Sequence, residues 1–316
     1  MRVLISGCAG FIGTHLTKEL LSQGYDVIGV DNLSTGRMEN VLSCRAVGPG
    51  RFSFYEYEIN QPDLYQLCLG TSIVYHLAAL ARVSFSIDHP IEANFANIAG
   101  TLNVLEAARK AGVSRVVFSS SSSVYGGVAS FPTNEDSSLS PKSPYALQKA
   151  TGETYCRLYS ELHGLDTVCL RYYNVCGPGQ HTGGAYSTVI PAFMSAASSG
   201  GTCVVNGDGS VLRDFTPVEN VVQANLLAAQ HHSHLNGEAF NVALGETYSI
   251  KDVYTKICTL AGFTVPVQYG PPRKGDPAKS HADITKAQQV LGYKPTVSFD
   301  QALENTWQWW SNGCKV

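Results

Sequence analysis

Tyr145 and Lys149 form the pair of side chains in this sequence best suited to move a proton. They stand four residues apart, and the preceding Ser143 and Pro144 are typical of the start of a helix. On a helix the two side chains therefore share one face. A free tyrosine, with a pKa of about 10, is a poor base at neutral pH, but a neighbouring ammonium group favours the phenolate. The pair predicts acid–base chemistry at a hydroxyl group.

A glycine-rich loop near the N-terminus predicts a dinucleotide site. The loop Gly7-Cys-Ala-Gly10-Phe-Ile-Gly13 lies between a strand pattern and a helix pattern, where bare backbone can approach a pyrophosphate. Asp31 follows 18 positions after Gly13, at the end of the second predicted strand, as a carboxylate that binds a ribose should. This carboxylate would repel a 2′-phosphate, so we expect NAD as the cofactor, and Arg37 is the feature that keeps NADP open. A cationic nicotinamide beside Tyr145 would favour the phenolate further.

The serine run Ser119–Ser123 is a third candidate. It follows the fifth predicted strand and leads into Val124-Tyr-Gly126. In isolation such a run is more often a solvated loop than a site. However, Gly7, Asp31, the serines and Asn174 all follow predicted strands, and open α/β sheets bind ligands at that edge. This convergence indicates a single site.

The strands and helices that must position these residues are visible in the sequence as short apolar runs that alternate with segments of helical periodicity. The alternation predicts an α/β fold, a Rossmann-type doubly wound parallel sheet. The predicted strands are Arg2–Ser6, Asp26–Asp31, Phe52–Glu58, Ile73–Leu77, Arg115–Ser119 and Asp166–Arg171. The main predicted helices are Thr14–Gln23, Ile91–Ala111 and Pro144–His163.

The composition of the chain changes after Asn174, where glycine and proline become more frequent and the predicted helices become shorter. We expect an NAD-binding domain over residues 1–174, with a returning segment at about 214–243. Residues 175–316 are expected to form mainly a smaller C-terminal substrate lobe.

Composition excludes several function classes. The 22 basic residues against 25 acidic ones give a net charge of −3, which offers no basic surplus for nucleic acid. No apolar run is long enough to span a membrane, and Arg2 and the glycine loop follow Met1 in place of a signal peptide, so we expect no membrane partner and a cytoplasmic location. The nine cysteines form no CxxC pair. His231, His232 and His234 lack acidic or cysteine partners at ligand spacing, so we expect no metal.

Further motifs accompany the glycine loop, the serine run and the tyrosine–lysine pair. They are His76-Leu-Ala-Ala79, Arg171-Tyr-Tyr-Asn174-Val-Cys-Gly-Pro178, Asn206-Gly-Asp-Gly-Ser-Val-Leu-Arg213-Asp and Arg273-Lys-Gly-Asp276. In this order, over essentially the whole chain, the motifs resemble the extended short-chain dehydrogenase/reductase family. Within that family they resemble the NAD-dependent nucleotide-sugar 4-epimerases.

The resemblance implies a role for each matching position near the cofactor. Tyr145 would be the acid/base residue, Lys149 would hold the nicotinamide ribose, and Ser121 would hydrogen-bond the 4-oxygen of the sugar. Glu58 stands where the family usually has Asp next to the adenine, which puts that hydrogen bond in doubt. The implied cofactor-binding residues are Gly7, Gly10, Phe11, Ile12, Gly13, Asp31, Asn32, Glu58, Ile59, Leu77, Ala78, Ala79, Asn97 and Lys149.

The resemblance also implies a set of substrate-binding residues. Asn174 would meet the substrate diphosphate through its amide, while Arg213 and Arg273 would clamp the phosphates, a task that suits the guanidinium fork. The full set is Ala81, Ser121, Ser122, Ser123, Tyr145, Asn174, Gln180, Thr188, Val189, Arg213, Arg273, Asp276 and Ser280.

Three positions favour epimerisation over the sister reactions of the family. Dehydratases carry an Asp-Glu pair where this chain has Ser122 and Ser123, because elimination of water needs a second acid and base. Decarboxylases place a glutamate at the position of Ser123. Uronate 4-epimerases typically have threonine where Asn174 stands, so a plain hexose or an N-acetylhexosamine is preferred. A non-catalytic NAD sensor usually loses the tyrosine–lysine pair that this chain retains.

Two small residues favour an acetylated sugar. Family members limited to unacetylated hexoses have tyrosine at the position of Ser280 and lysine at that of Ala81, so the small residues here leave space for a 2-acetamido group. The stretch Gly184–Pro191 also resembles that of UDP-N-acetylglucosamine 4-epimerases. We therefore predict UDP-GlcNAc/UDP-GalNAc as substrates, then UDP-Glc/UDP-Gal, then a uronate 4-epimerase or a reductase. The family further implies a homodimer, through a four-helix bundle of Ile91–Ala111 and the helix that bears Tyr145.

Overall fold

A seven-stranded parallel sheet forms the centre of the protein, in a computed structural model that describes residues 1–127, 130–182, 187–271 and 279–313. The strands are β1 (Arg2–Ser6), β2 (Asp26–Asp31), β3 (Arg51–Glu56), β4 (Ile73–His76), β5 (Arg115–Ser121), β6 (Asp166–Tyr172), β7 (Val175–Cys176), β8 (Cys203–Asn206), β9 (Leu212–Arg213), β10 (Thr216–Pro217), β11 (Glu238–Val242), β12 (Tyr248–Ser249) and β13 (Val267–Gly270). The order in the central sheet is β11-β6-β5-β4-β1-β2-β3. The predicted α/β fold class is confirmed.

Helices cover both faces of this sheet. They are α1 (Phe11–Ser22), α2 (Met38–Cys44), α3 (Tyr65–Cys68), α4 (Val83–Asp88), α5 (Pro90–Asn94), α6 (Gly100–Ala111), α7 (Pro144–His163), α8 (Val189–Ser199), α9 (Val218–Gln230), α10 (Ile250–Ala261) and α11 (Phe299–Ser311). The π-helical turn Phe95–Ala99 joins α5 to α6, so the predicted helix Ile91–Ala111 is continuous. Within the described ranges, none of the helices is both long and apolar enough to cross a membrane.

The structure moves several predicted boundaries, and three of the shifts concern candidate site residues. The first helix begins at Phe11, not Thr14, because Gly10 caps it directly after the glycine loop. Ser120 and Ser121 extend β5 beyond its predicted end at Ser119, because their backbone continues to pair with β6 as far as Tyr172. The third strand ends at Glu56, so Glu58 lies in the loop beyond it.

Two apolar layers hold the helices against the sheet. On one side, α1 and α9 contribute Leu16, Leu20 and Val221 to a buried cluster that also contains residues of β1 and β6. On the other, Leu105 of α6 and Cys156 of α7 belong to a cluster with residues of β2, β4 and β5. Because strands buried on both faces are rich in apolar residues, β1, β4 and β5 each contain a short continuous apolar run.

The order of the strands creates the place where a ligand can bind. Strand β1 lies in the middle of the sheet, between β2 and β4. From β1 the chain continues to β2 and β3 on one side, and from β4 it continues to β5 and β6 on the other, so the connections after β1 and after β4 lie on opposite faces of the sheet. A crevice opens at such a switch point, outside the carboxyl ends of the strands.

The second half of the chain contributes to this sheet and also builds its own core. Strand β11 pairs with β6 in parallel, and α9 packs on α1. Helices α8, α10 and α11 enclose a separate apolar cluster that contains Phe193, Ile257 and Phe299. The division into domains at residue 174 stays a prediction.

Candidate active site

The glycine loop forms a cradle that only bare backbone permits. Gly7 has a φ of +78°, and a Cβ atom placed on it would lie 2.7 Å from the backbone nitrogen of Ala78. A Cβ on Gly13 would lie 2.0 Å from the carbonyl oxygen of Gly7. The loop therefore closes tightly against the start of α1, with Phe11 and Ile12 in the first helical turn. This geometry fits a pyrophosphate at a helix N-terminus.

Asp31 lies at the carboxyl end of β2 with its carboxylate fixed by backbone. Its oxygens accept hydrogen bonds from the N–H of Ala9 at 2.9 Å and of Leu33 at 2.9 Å. Burial raises the pKa of Asp31, and these two hydrogen bonds oppose the rise. A carboxylate has about four acceptor positions, so capacity remains for the hydroxyl groups of a ribose.

A cleft beside the glycine loop collects most of the predicted cofactor residues. Predicted residues that line it are Gly7, Gly10, Asp31, Asn32, Glu58, Ile59, Leu77, Ala78 and Ala79. Ser34, Thr35, Tyr57, Leu80 and Ala96 also line it and were not predicted. No sequence signal identified Tyr57, because the predicted strand Phe52–Glu58 includes it, whereas the strand ends at Glu56. The residues present thus fit a dinucleotide such as NAD.

Two residues near this cleft are engaged with other parts of the protein. The amide of Asn97 accepts from the backbone N–H of Leu80 at 2.8 Å and donates to the Leu80 carbonyl and to Gln148. Asn97 thereby holds the loop after β4 in place. The guanidinium of Arg37 lies 3.6 Å from the carboxylate of Glu39, on the surface.

Tyr145, Lys149 and Ser121 meet as the sequence predicts. Ser143 caps α7 by accepting from the N–H of Ala146, and the N–H of Tyr145 donates to Ser86, a buried contact that the sequence does not reveal. A face of α7 then lies against the end of β5. The hydroxyl of Ser121 lies close enough to Tyr145 to lower the pKa of its phenol, and the Nζ atom of Lys149 lies 6.0 Å from the centre of the Tyr145 ring.

Burial governs the protonation of this group. It raises the pKa of Tyr145 to about 12, while the nearby hydroxyl of Ser121 lowers it. Burial also lowers the pKa of Lys149 to about 8, against the charges of nearby groups that raise it. The Lys149 ammonium donates to the carbonyl oxygen of Ser119 at 2.7 Å. Without a further cation beside it, Tyr145 is a neutral phenol at pH 7, so a base at this position needs the positive charge of a bound ligand.

Ser122 and Ser123 lie in a short 3-10 turn directly after β5. The hydroxyl of Ser121 caps this turn by accepting from the N–H of Ser123 at 3.2 Å. The hydroxyl oxygen of Ser123 is buried and has no hydrogen-bond partner among the described residues. Neither position carries the carboxylate that a second acid or base would require.

The predicted substrate residues Asn174 and Ser280 are in contact. The amide nitrogen of Asn174 donates to the Ser280 hydroxyl at 3.2 Å and to the carbonyl of Asp214 at 2.8 Å. Arg213, which directly precedes Asp214, is buried and donates to the carbonyl of Leu212. The structure thus brings three predicted residues from distant parts of the sequence to one place.

Asp214 was not predicted as a site residue. It is fully buried and accepts backbone hydrogen bonds from Leu244, Gly245 and Ala282 at 3.0–3.2 Å. Burial raises its pKa to about 7. Its place directly after Arg213 was the available signal, and its partners show that it fixes the segment that carries Ser280.

The remaining predicted substrate residues lie around this region. Gln180 donates to the carbonyl of Val175, and Thr188 precedes the first residue of α8, Val189, without a side-chain cap. Ala81 is exposed in the loop before α4. Arg273 and Asp276 lie outside the described residues, as do residues 184–186 at the start of the stretch Gly184–Pro191.

Comparison with known proteins points in one direction. Residues 3–243 match the model of the NAD dependent epimerase/dehydratase family. A UDP-glucose 4-epimerase from Mycolicibacterium smegmatis is 38% identical over 315 residues, 99% of each chain. The crystal structure of a UDP-glucose 4-epimerase from Thermotoga maritima with UDP-glucose is 35% identical, with a TM-score of 0.92 over 100% of both chains. A UDP-N-acetylglucosamine 4-epimerase from Methanobrevibacter ruminantium, in complex with UDP-N-acetylmuramic acid, is also 35% identical, with a TM-score of 0.92 over 99% of this chain and 98% of that one.

Proposed function

Because the chain belongs to the NAD-dependent epimerase/dehydratase family and its relatives are UDP-sugar 4-epimerases, we propose that it interconverts UDP-GlcNAc and UDP-GalNAc. The reaction inverts C4 of the sugar through a transient 4-keto sugar. The observation that carries the choice of sugar is the small Ser280, hydrogen-bonded to Asn174 beside Arg213. A large side chain at this position would fill the space that a 2-acetamido group needs.

Tyr145 is the acid/base residue in this proposal. Its phenolic oxygen takes the proton of the 4-hydroxyl group and later returns it, while Ser121 holds the 4-oxygen in line. The ammonium of Lys149 favours the phenolate and binds the nicotinamide ribose. NAD, when bound, supplies a reversible hydride acceptor at C4, so the reaction has no net redox change.

The glycine loop and Asp31 hold the cofactor. The backbone around Gly7, Gly10 and Gly13 faces the pyrophosphate, and the carboxylate of Asp31 accepts from the adenosine ribose. Asn97 contributes through the loop that it fixes at Leu80. Phe11 and Ile12, in the first turn of α1, adjoin this loop. The cleft residues that enclose the rest of the dinucleotide are Asn32, Glu58, Ile59, Leu77, Ala78 and Ala79.

The second half of the chain holds the UDP group. Asn174, Arg213 and Arg273 bind the diphosphate, for which guanidinium groups offer paired donors. The walls of the sugar and nucleotide pocket are Ala81, Ser122, Ser123, Gln180, Thr188, Val189, Asp276 and Ser280. Ser122 and Ser123 lack the carboxylates that would serve as acid and base in dehydration or decarboxylation.

UDP-glucose/UDP-galactose is the second candidate pair. The names of the relatives from M. smegmatis and T. maritima favour it over the acetylated pair. The polar contact of Asn174 with Ser280 is compatible with either sugar, since a plain hydroxyl at C2 is smaller than an acetamido group. A uronate 4-epimerase or a stoichiometric reductase ranks below both.

One experiment separates these candidates. Purified protein is mixed with UDP-GlcNAc without added NAD, and the anomeric protons are followed by NMR. We expect UDP-GalNAc to appear and to settle at the same ratio from either side, because a cofactor recycled in each turnover stays bound. If NAD copurifies and UDP-GlcNAc stays unchanged while UDP-glucose reacts, the acetamido assignment fails and the plain hexose replaces it.

We also propose that the protein acts in the cytoplasm as a homodimer. An exposed apolar surface, here called the bundle face, comprises Ile87, Ile91 and Phe95 together with Leu147 of α7. Ile91 is 85% exposed and Phe95 58% exposed. Since α4, α5 and the π-helical turn pack on α7, two copies of this face would form a four-helix bundle, and burial of its side chains would stabilise the dimer.

A further inference from the structure

Glu153 continues the face of α7 that carries the reaction. It follows Lys149 by one helical turn and Tyr145 by two, and its side chain is buried. A buried carboxylate is costly unless it is paired and hydrogen-bonded. The hydrogen bonds and ion pairs of the Glu153 carboxylate therefore indicate its role.

The carboxylate of Glu153 joins two neighbouring strands. The guanidinium of Arg171 on β6 donates to both oxygens, from Nε at 2.9 Å and from Nη2 at 2.7 Å. The hydroxyl of Ser120 on β5 donates to the same carboxylate at 2.5 Å. Ser120 and Arg171 are direct partners in the register of the two strands. One side chain of α7 is thus tied to one row of the sheet.

This row lies between Ser119 and Ser121, the two residues of β5 that interact with Lys149 and Tyr145. Each of the three consecutive serines at the end of β5 interacts with one of three turns of α7. The Ser119 carbonyl accepts from Lys149, Ser120 donates to Glu153, and the Ser121 hydroxyl acts on the phenol of Tyr145. A shift of α7 along β5 would break all three contacts together, so the Glu153 carboxylate fixes the position of the other two.

Glu153 lies one turn of α7 from Lys149, and its charge acts on the Lys149 ammonium group. The titratable groups around that ammonium are Tyr145, Glu153 and Cys156 on α7, Cys169 on β6 and His76 on β4. Burial lowers the pKa of His76 to about 3, so its ring is neutral. The pKa of Lys149 is lowered by burial, and the charge of Glu153 is among the effects that raise it again. Glu153 therefore supplies an anion where the ammonium lacks water.

We propose that Glu153 is a positioning residue: its carboxylate, fixed by Ser120 and Arg171, holds α7 in register with β5 and keeps the Lys149 ammonium charged at neutral pH. This rests on the proposed function in one respect, namely that Tyr145 and Lys149 carry the reaction. Glu153 touches neither substrate nor cofactor and acts through its neighbours.

The pH dependence of epimerisation tests the electrostatic part. Glu153→Gln keeps the size of the side chain and removes its charge, so Lys149 loses its proton at lower pH. We expect the alkaline limb of the kcat profile to move down by about one unit. Glu153→Asp, which restores the charge, should return the limb to its wild-type position. Glu161→Gln, the same change at an exposed position of α7, is the matched control and should leave the limb in place.

Ser120→Ala tests the register and remains informative if Glu153→Gln does not fold. It removes one hydrogen bond and keeps the Glu153 charge, so kcat should fall roughly tenfold through misplacement of Tyr145, with the alkaline limb unchanged. If Glu153→Gln lowers kcat but leaves the limb where it is, or if Ser120→Ala retains full kcat, the corresponding half of the proposal is overturned.

A measurement without substrate separates this proposal from the proposed function. Urea unfolding of wild type, Glu153→Gln, Lys149→Met and the double variant gives the coupling free energy between the two side chains. We expect a favourable coupling at about pH 6, where Lys149 is charged, and its loss at about pH 10. An absent or pH-independent coupling would overturn the role of Glu153. Inactivity of the wild type on every UDP-sugar would overturn only the proposed function.

Discussion

The side-chain amide of Asn174 donates a hydrogen bond to the hydroxyl of Ser280 at 3.2 Å, across 106 positions of sequence. Asn174 adopts a φ of +31°, a left-handed conformation in which asparagine is more common than most residues. That conformation turns the amide toward Asp214 and Ser280. Two residues expected to serve different ends of one ligand are therefore coupled, and a change at Ser280 will be felt at Asn174.

Ser280→Tyr should suppress turnover of UDP-GlcNAc selectively. The added ring would fill the space for an acetamido group and displace the contact with Asn174. Overpacking costs about 1–3 kcal/mol, so we expect a roughly 10- to 100-fold loss in kcat/KM for the acetylated sugar. Turnover of UDP-glucose should fall much less. Ser280→Ala, which keeps the space, should retain both activities, and an equal loss of both in Ser280→Tyr would show that this wall is wrongly assigned.

Tyr145→Phe should bind NAD and lose turnover. Removal of the phenolic oxygen leaves the packing of the ring intact but removes the acid/base group, a loss of about 100- to 10,000-fold in kcat. Tyr159→Phe is the matched control, since Tyr159 is a second buried tyrosine of α7 whose hydroxyl contacts Glu106 at 3.3 Å. Cofactor content is measured by absorbance after denaturation. A Tyr145→Phe protein with full turnover would refute the assignment.

Gly13→Ala should abolish retention of NAD. The new Cβ would lie 2.0 Å from the carbonyl oxygen of Gly7, which is fixed backbone, so the loop must open. The protein should purify without cofactor and without activity. Gly201→Ala is the control, because its Cβ would meet nothing closer than 3.4 Å. Normal NAD content in Gly13→Ala would contradict the placement of the pyrophosphate at this loop.

Asp214 should make stability depend on pH. Its pKa is raised by burial from 3.8 to about 7, so between these values the folded state binds the proton more tightly than the unfolded state. The free energy of unfolding from this group is therefore highest below about pH 4 and falls as pH rises through 7. Asp214→Asn removes the titration, and its amide N–H faces backbone donors, at a cost of about 1–3 kcal/mol.

Urea unfolding at about pH 5 and about pH 8 measures this difference. The advantage of wild type over Asp214→Asn should shrink as pH rises. Asp208→Asn is the control, because hydrogen bonds from Ser210 lower the pKa of Asp208 below this window. A difference that grows toward pH 8 would show that Asp214 is held as a stabilised carboxylate at neutral pH.

Ile91→Glu should break the proposed dimer. A charge at the centre of the bundle face would have to be buried without a partner. Light scattering should then report the mass of one chain in place of two. Leu42→Glu, at an exposed leucine of α2 that is 54% accessible, should leave the assembly unchanged. A wild-type protein that is monomeric at all concentrations would refute the homodimer.

Local chemistry explains why much of the fold could be predicted. Six strands and the helix that bears Tyr145 follow from apolar runs, a serine cap and Pro144, all of which act within a few residues. The glycine loop likewise identifies its own turn. The errors lie at element ends, as at Phe11 and Ser121, where pairing with a neighbouring strand or a preceding loop decides the last residue.

What the sequence determined by itself is the fold class and the NAD cofactor, and it predicted Tyr145 and Lys149 as the reacting pair. Only the tertiary structure decided which distant polar and charged side chains contact each other. Arg171 reaches Glu153 because β5 and β6 pair in one register, and Asn174 reaches Ser280 because Asp214 anchors a distant segment. Such pairs depend on contacts between residues far apart in the chain. The apolar periodicity that predicts a strand or a helix does not identify the element that packs against it.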